Sequence, residues 1–590
     1  MNSQILQAEY GLAQSSTSFS WSTLYNPRHD PVAQEVVGGI RPQFTSELKV
    51  FQSSLICPER DSNESRTPHR EKAHGCVLFV GGSVWAMDWA PPFTDSMDGA
   101  EGFLALATMP SGHEETQIRT RDNSKSLIQV WKVFVDSQQE SVIDRSYAPS
   151  LEYTFGVDCG IALALSWCPA RCSRTTFRLG IFAAATSSGH ILVYSVPSSS
   201  VPHDNNKFVS LHTETQGFHL THGPLFSLLV NEGYPTCLSW SPGEAEPWVA
   251  AGTTAGSIFL LPLLPELLEK QEGGDACVEE TWRQSVYEGV REAHASEAAA
   301  VTCLSWCSSG SFATGGIDGK VKLWSIENLN WPIFVQSVSK GTWVTSLVWV
   351  DGGSKRQAAQ GRKSKGGSQS DEGRPAIVFT LDDGRVGTLA IKQMVQRWIF
   401  AREFTFWDSI FDEATDVLLL ASSEGTMLEM PLGLLDPVHL PLPTSFLMAE
   451  LAMRQNVMEL RVSNAPDRLS RSLKQRFEAC PQVERRIRTA ARSTDADSFK
   501  TADRLGKDGQ KKGNEKGKQK SPAAGKKRKQ EEEDEGAIQD LKPQVEAQGE
   551  QRRLSFPPAQ VALHRIRLFQ GRLQAVAAAG RSGIVTCLNR

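Results

Sequence analysis

Residues Val301 to Ile326 read VTCLSWCSSGSFATGGIDGKVKLWSI. The run predicts three short strands. In the first, Val301, Cys303, Ser305 and Cys307 alternate with Thr302, Leu304 and Trp306, the period of two that a strand requires. Ser308 to Gly310 ends it with the small residues a tight turn needs. Ser311 to Gly315 is a second strand. Asp318-Gly319 is a strong two-residue hairpin signal, and Lys320 to Ile326 returns as a third strand, closing on Leu323-Trp324. Three strands cannot bury both faces of their own sheet, so other sheets must stack against it.

The same frame recurs along the chain. VWAMDWAPP (Val84 to Pro92), LALSWCP (Leu163 to Pro169), PTCLSWSPG (Pro235 to Gly243), CLSWCSSG (Cys303 to Gly310) and VTSLVWV (Val344 to Val350) each carry an apolar alternation to a tryptophan, at Trp89, Trp167, Trp240, Trp306 and Trp349. A strand–Gly–strand return follows at Leu179 to Pro197, Trp248 to Leu263, Pro375 to Ile391, Ala414 to Met430 and Leu573 to Leu588. A small antiparallel sheet used about seven times predicts an all-β fold, a seven-bladed β-propeller whose radial repetition hides the sheet edges.

The repeat is of the WD type, in a degenerate form. That pattern places a His ahead of the first strand, an Asp in the hairpin and a Trp closing the third strand. The central copy supplies His294, Thr314, Asp318 and Trp324 as the candidate structural tetrad, with His294 seven residues ahead of Val301. The Trp-to-Trp spacing shrinks from 78 residues between Trp89 and Trp167 to 43 between Trp306 and Trp349, so long loops are inserted between strands.

Four regions are expected. Residues 1–72 form a polar, mostly disordered N-terminal arm in which Gly39 to Ile56 is apolar enough to lie along the propeller flank. Residues 73–430 hold blades one to six. Residues 431–560 form an insertion, partly helical and partly low in complexity, and 561–590 make the final blade. Cys76 to Val80 is expected to pair with that last blade and close the ring. Within the insertion, Leu447, Leu451 and Met458 have helical spacing, and a second helix is expected around Arg468 to Ser493. Arg504 to Lys529 then carries eleven Lys or Arg against two acidic residues and no aromatic, followed by EEEDE at Glu531 to Glu535.

With 590 residues and a net charge of −5, the chain has no global attraction to nucleic acid or membrane, and any such affinity is local. No run approaches 18 apolar residues, and MNSQILQAEYGLAQSS lacks the pattern of a secretory leader, so neither a membrane span nor export is expected. Eleven scattered cysteines, among them Cys159, Cys168, Cys237, Cys303 and Cys587 at strand positions, fit reduced buried thiols. The four-residue steps Cys168–Cys172 and Cys303–Cys307 lack the partnering ligands of a zinc site and read as core packing. There is no phosphate-binding Gly loop, HExxH or GxSxG, and Asp382-Asp383-Gly384 reads as a hairpin turn, so no enzyme, cofactor or small-molecule substrate is expected. KKRK (Lys526, Lys527, Arg528, Lys529) is a candidate nuclear localisation signal or a sequence-blind phosphate contact. Lys355, Arg356, Arg362, Lys363 and Lys365 make a smaller basic loop with the same two readings.

GGSVWAMDWAPP (Gly81 to Pro92), the run from Leu104 that ends in SLIQVWKV (Ser126 to Val133), RLGIFAAATSSGHILVYSVP (Arg178 to Pro197) and, upstream, QFTSELKVF (Gln43 to Phe51) resemble one family. It is the WD-repeat β subunit of transcription factor IIIC, the general factor for RNA polymerase III genes. The resemblance implies a non-catalytic nuclear scaffold whose partners are other transcription factor IIIC subunits. Such a scaffold supports recognition of the internal-promoter B box and meets DNA through the complex. A WD-repeat adaptor for another nuclear complex, in ribosome biogenesis or on histones, is the alternative that the large loops equally suit.

Overall fold

The computed structural model describes residues 16–24, 44–56, 75–92, 101–110, 121–134, 148–169, 178–197, 210–213, 216–220, 223–242, 247–262, 286–294, 299–350, 375–415, 417–431, 446–454, 457–463, 562–570, 574–582 and 584–589. These residues form seven antiparallel-cored sheets arranged as the blades of a propeller. The innermost strands of blades one to seven are Ser83–Trp89, Ala162–Trp167, Pro235–Trp240, Val301–Ser308, Val344–Val350, Phe406–Asp412 and Leu563–Gln570. Each packs against the next, and Leu563–Gln570 packs back against Ser83–Trp89, so the ring is closed.

Closure uses a strand from the far end of the chain. Gly75–Phe79 is the fourth strand of blade seven, paired antiparallel with Ile584–Asn589 so that Cys76 faces Cys587. All five of its residues are buried. One apolar cluster runs across this seam, from Leu419 and Leu451 in blade six through Val77, Phe79 and Val585 in blade seven to Met87 and Trp131 in blade one. Cys76, Cys168, Cys237, Cys303 and Cys587 are buried. Cys159 and Cys168 lie just beyond the strands Ser150–Val157 and Ala162–Trp167 rather than within them.

Three expectations are corrected. The stretch around Leu451 and Met458 is not helical: Phe446–Arg454 and Val457–Ser463 pair as antiparallel strands that extend blade six. Ala449 and Leu451 are buried, as are Met458, Leu460 and Val462, a period of two. A four-residue spacing such as Leu447 to Leu451 satisfies helix and strand periods alike, and here the open edge of blade six decides. The N-terminal arm also contributes structure. Ser16–Leu24 adds in parallel to Val457–Ser463, and Phe44–Lys49 pairs with Ser16–Leu24. Its alternation of Phe19, Trp21 and Thr23 with serines is a strand pattern. Third, Val301 does not share a face with Cys303: it packs with Trp306 and Phe312 in the blade three–four core, whereas Cys303 packs with Leu347 and Phe379 in the blade four–five core. The cause is a register shift at Thr302, an extra residue that resets the alternation. The second expected helix and both basic runs lie outside the described residues.

That shift recurs in all seven innermost strands, at Trp85, Leu163, Thr236, Thr302, Thr345, Trp407 and His564, the positions that the strand register skips. The hairpin at Asp318-Gly319 is as the sequence required. Gly319 has φ +65°, and a Cβ there would stand 2.2 Å from the Ser339 carbonyl oxygen.

Candidate functional site: the tryptophan mouth and the closing seam

Each innermost strand starts at its bulge and ends at its tryptophan or the equivalent residue, so the two ends of the channel differ chemically. At the tryptophan end, indoles stitch neighbouring blades. Trp167 Nε1 donates to the Asp88 carbonyl at 3.2 Å, Trp240 Nε1 to the Ser166 carbonyl at 2.8 Å, and Trp306 Nε1 to the Ser239 carbonyl at 3.1 Å. Register fixes the pattern: the tryptophan closing one blade meets the residue just before the tryptophan of the preceding blade. Between these indoles lies an open pocket of about 320 Å³ lined by Ser166, Trp167, Pro169, Ser239, Trp240, Pro242, Ser305 and Trp306. Its lining is apolar and hydroxylic, with no charged side chain, and its indole N–H groups are already engaged. Such a surface offers apolar and hydroxyl contacts and, in its lining, no charged group.

At the bulge end, hydroxyls replace indoles. Thr236 Oγ1 donates to the Val301 carbonyl, Thr302 Oγ1 to the Val344 carbonyl at 2.5 Å, and Thr345 Oγ1 to the Phe406 carbonyl at 2.7 Å. Each carbonyl is the one just before the bulge of the following blade. Blade seven repeats the device with a different side chain: His564 Nδ1 bonds the Val84 carbonyl of blade one at 3.3 Å. That contact requires Nδ1 to carry the proton. Burial pushes the His564 pKa down to about 3, so the ring is neutral at ordinary pH. Trp85 stands edge-on to it, with centroids 4.3 Å apart, and Trp407 completes a cluster of three rings, 6.4 Å from His564 and 6.3 Å from Trp85.

Deeper in the channel the seam carries charge. Arg567 of blade seven pairs with Asp408 of blade six and lies 3.8 Å from Asp88 of blade one. Asp408 also accepts the Ile566 backbone N–H at 3.1 Å. Asp88 accepts the Trp167 backbone N–H at 2.8 Å and the Ser166 hydroxyl at 3.2 Å, linking the seam to blade two. Burial raises the Asp88 carboxyl above its usual range, outweighing Arg567 and these donors. Arg565 Nε donates to the Trp85 carbonyl at 2.7 Å. Three blades are thus held at one point by charge-assisted contacts.

The candidate tetrad is only partly assembled. Trp324 Nε1 donates to Thr314 Oγ1 at 3.0 Å, both buried in blade four. Asp318 instead pairs with Lys322 Nζ at 3.1 Å and caps the Lys320 N–H. His294 ends the outermost strand of blade three, opposite Ser257. Lys526, Lys527, Arg528 and Lys529 lie outside the described residues. Sequence reading missed Asp88, Asp408, Arg567 and His564. The available signal was charge inside buried strands: Asp88 in VWAMDW, and the His/Arg alternation of LHRIRLF. Among the described residues no group of three or more His, Cys, Asp or Glu is placed to hold a metal ion.

No protein-family model matches the sequence. Over 306 residues the chain is 26% identical to general transcription factor 3C polypeptide 2 of Pongo abelii. It is 25% identical to the Homo sapiens polypeptide of the same name over the same length. It is a propeller distantly similar to that transcription-factor polypeptide. The alignments cover 48% of this chain and 31% of each relative, so the matched part spans about a third of the relatives' length.

Proposed function

We propose that the chain is a non-catalytic scaffold subunit of a transcription factor IIIC-type complex, acting in the nucleus in RNA polymerase III initiation. The observation that carries this reading is the similarity to general transcription factor 3C polypeptide 2 in a chain whose core is a closed propeller. The tryptophan mouth supports it: an uncharged, hydroxyl-bearing pocket suits a peptide and lacks catalytic groups. In this reading the partners are other subunits of the complex, DNA is engaged through them, and support for B-box recognition is indirect. Lys526, Lys527, Arg528 and Lys529 serve nuclear import.

The test is purification of the tagged chain with identification of what accompanies it, alongside occupancy of RNA polymerase III genes. Other factor IIIC subunits and occupancy at internal promoters are expected; ribosome-assembly factors or histones in their place overturn the reading. Replacing KKRK with alanines is expected to move the chain to the cytoplasm, with a heterologous import signal restoring both location and occupancy. Restored location without occupancy would assign the run to DNA instead, through phosphate contacts that weaken with salt.

A further inference from the structure

The outer edges of the blades are not alike. Blade one is extended by Gln216–Leu220 and Ser210–Thr213, blade six by Val457–Ser463, Ser16–Leu24 and Phe44–Lys49, and blade seven by Gln52–Ile56. Blades two to five each stop at four strands among the described residues. The large exposed apolar side chains among the described residues are Leu229, Tyr287, Trp331, Ile333, Val335, Met394 and Val395. All of them lie on or beside the outermost strands of those four blades.

Blade four concentrates them. Its last strand, Phe334–Ser337, is paired on one side only, with Lys320–Ser325. Trp331, Ile333 and Val335 are 77%, 62% and 47% exposed, at alternate positions. Phe334, between two of them, packs inward against the cluster containing Phe379 and Trp398. An unpaired edge with an alternating apolar face is what natural sheets usually blunt with charge, cover or bulges. The ends of this edge are charged unequally. Lys320 sits opposite Ser337, and Lys340 follows three residues on, both exposed. Gln396 Nε2 bonds the Val338 carbonyl at 3.0 Å, which brings up blade five with exposed Lys392, Met394 and Val395.

We propose that this edge of blade four is a docking strand for a partner protein, which adds an extended segment, apolar at alternate positions and acidic at the end that meets Lys320 and Lys340, as a fifth strand. The molecule already shows the mode at its other edges: Ser16–Leu24 adds in parallel to Val457–Ser463, and His219–Leu220 to Tyr153–Thr154. Backbone pairing supplies affinity. Ile333 and Val335 select apolar side chains on one face, and Lys320, Lys340 and Lys392 select acidic residues at the strand's end. The proposal concerns the rim and holds whichever complex the chain serves, so its failure leaves the transcription-factor reading standing, and the converse.

The probe is a synthetic valine–glutamate peptide, with valines alternating with threonines and glutamates at the end that meets Lys320 and Lys340, compared with its valine–lysine counterpart and with a version N-methylated at alternate amides. Hydrogen exchange of the full chain is the readout. The valine–glutamate peptide is expected to protect the amides of 333–337, with the lysine peptide weaker by about tenfold or more and the methylated one inert. Val335→Lys is expected to abolish protection with an unchanged unfolding midpoint. No protection at 333–337, equal binding of both charge types, or protection that survives Val335→Lys overturns the proposal. As a second measurement, a photo-crosslinking residue replaces Ile333 in the full chain in cells. Cross-links to one partner's acidic, apolar extended segment support it; cross-links to a second copy of this chain, or to another part of the same chain, overturn it.

Discussion

Blades two to five and the seam of blades six, seven and one solve the same problem with different chemistry. Along the arc, neighbouring blades are joined by repeated neutral contacts: indole N–H to carbonyl at the tryptophan end, threonine hydroxyl to carbonyl at the bulge end. In blades six and seven the tryptophans give way to Phe411 and Leu568, while blade one keeps Trp89, and across the seam the bulge carries Trp407, His564 and Trp85 in place of threonine. Arg567 between Asp408 and Asp88 does the joining there. Among the described residues the arc's blades stop at four strands, while the seam blades carry added strands. In this ring the charge-assisted contacts gather beside blade seven, where strands from the two ends of the propeller pair.

Removal of the closing strand is the most damaging change expected. Val77, Leu78 and Phe79 are fully buried, each worth about 1.5–3 kcal/mol of transfer energy, and the backbone of Ile584–Asn589 loses its partner. Deleting residues 1–80 is expected to abolish cooperative thermal unfolding. Deleting 1–38 removes Ser16–Leu24 from blade six and is expected to lower the midpoint while leaving the ring intact. Two equally stable truncations would erase the distinction between seam and arc.

Next comes the seam's ion pair. Asp408→Ala leaves Arg567 without its closest carboxylate and is expected to cost about 3 kcal/mol in chemical denaturation. Asp158→Ala, at the exposed pair with Lys125, is expected to change stability by less than about 0.5 kcal/mol. Equal effects would show that the seam has no special electrostatic role.

Within the arc, Gly319→Val is expected to cost about 2 kcal/mol or more, since it forces a β-branched residue to positive φ against the Ser339 carbonyl. Trp240→Phe keeps an aromatic ring but removes the pyrrole half with its N–H donor, so about 1 kcal/mol or more is expected, measured by the same unfolding curve.

How much of this was legible follows the same division. The arc was readable because its residues repeat: Trp167, Trp240, Trp306 and Trp349 announced four innermost strands, and Asp318-Gly319 announced a hairpin that the structure contains. The seam was not. The innermost strands of blades six and seven replace the repeated tryptophan, and the partners of Arg567 stand 159 residues away at Asp408 and still farther at Asp88, a juxtaposition no local pattern encodes. Leu447, Leu451 and Met458 misled because a four-residue step fits both periods. The pairing of Cys76 with the last blade was anticipated, since a strand ahead of the first repeat otherwise lacks a sheet.

A pH dependence is expected from His564. Its folded pKa lies near 3, below the unfolded value of 6.5, so its contribution is complete above about pH 6.5 and is lost as pH falls toward 3. Acidification from about pH 7.5 to 5.5 is expected to cost about 1.4 kcal/mol more in the native chain than in His564→Gln. A threonine-bearing position offers no such term, so Thr302→Val is expected to leave the pH profile unchanged.

Native-state hydrogen exchange tests the closed seam most directly. If Gly75–Phe79 is integral to the ring, its amides and those of Ile584–Asn589 exchange only through the opening that also exposes Val344–Val350, at free energies equal within about 1 kcal/mol. Exchange of Gly75–Phe79 orders of magnitude faster than Val344–Val350 would mean that the ring opens at the seam without unfolding, and would contradict the account.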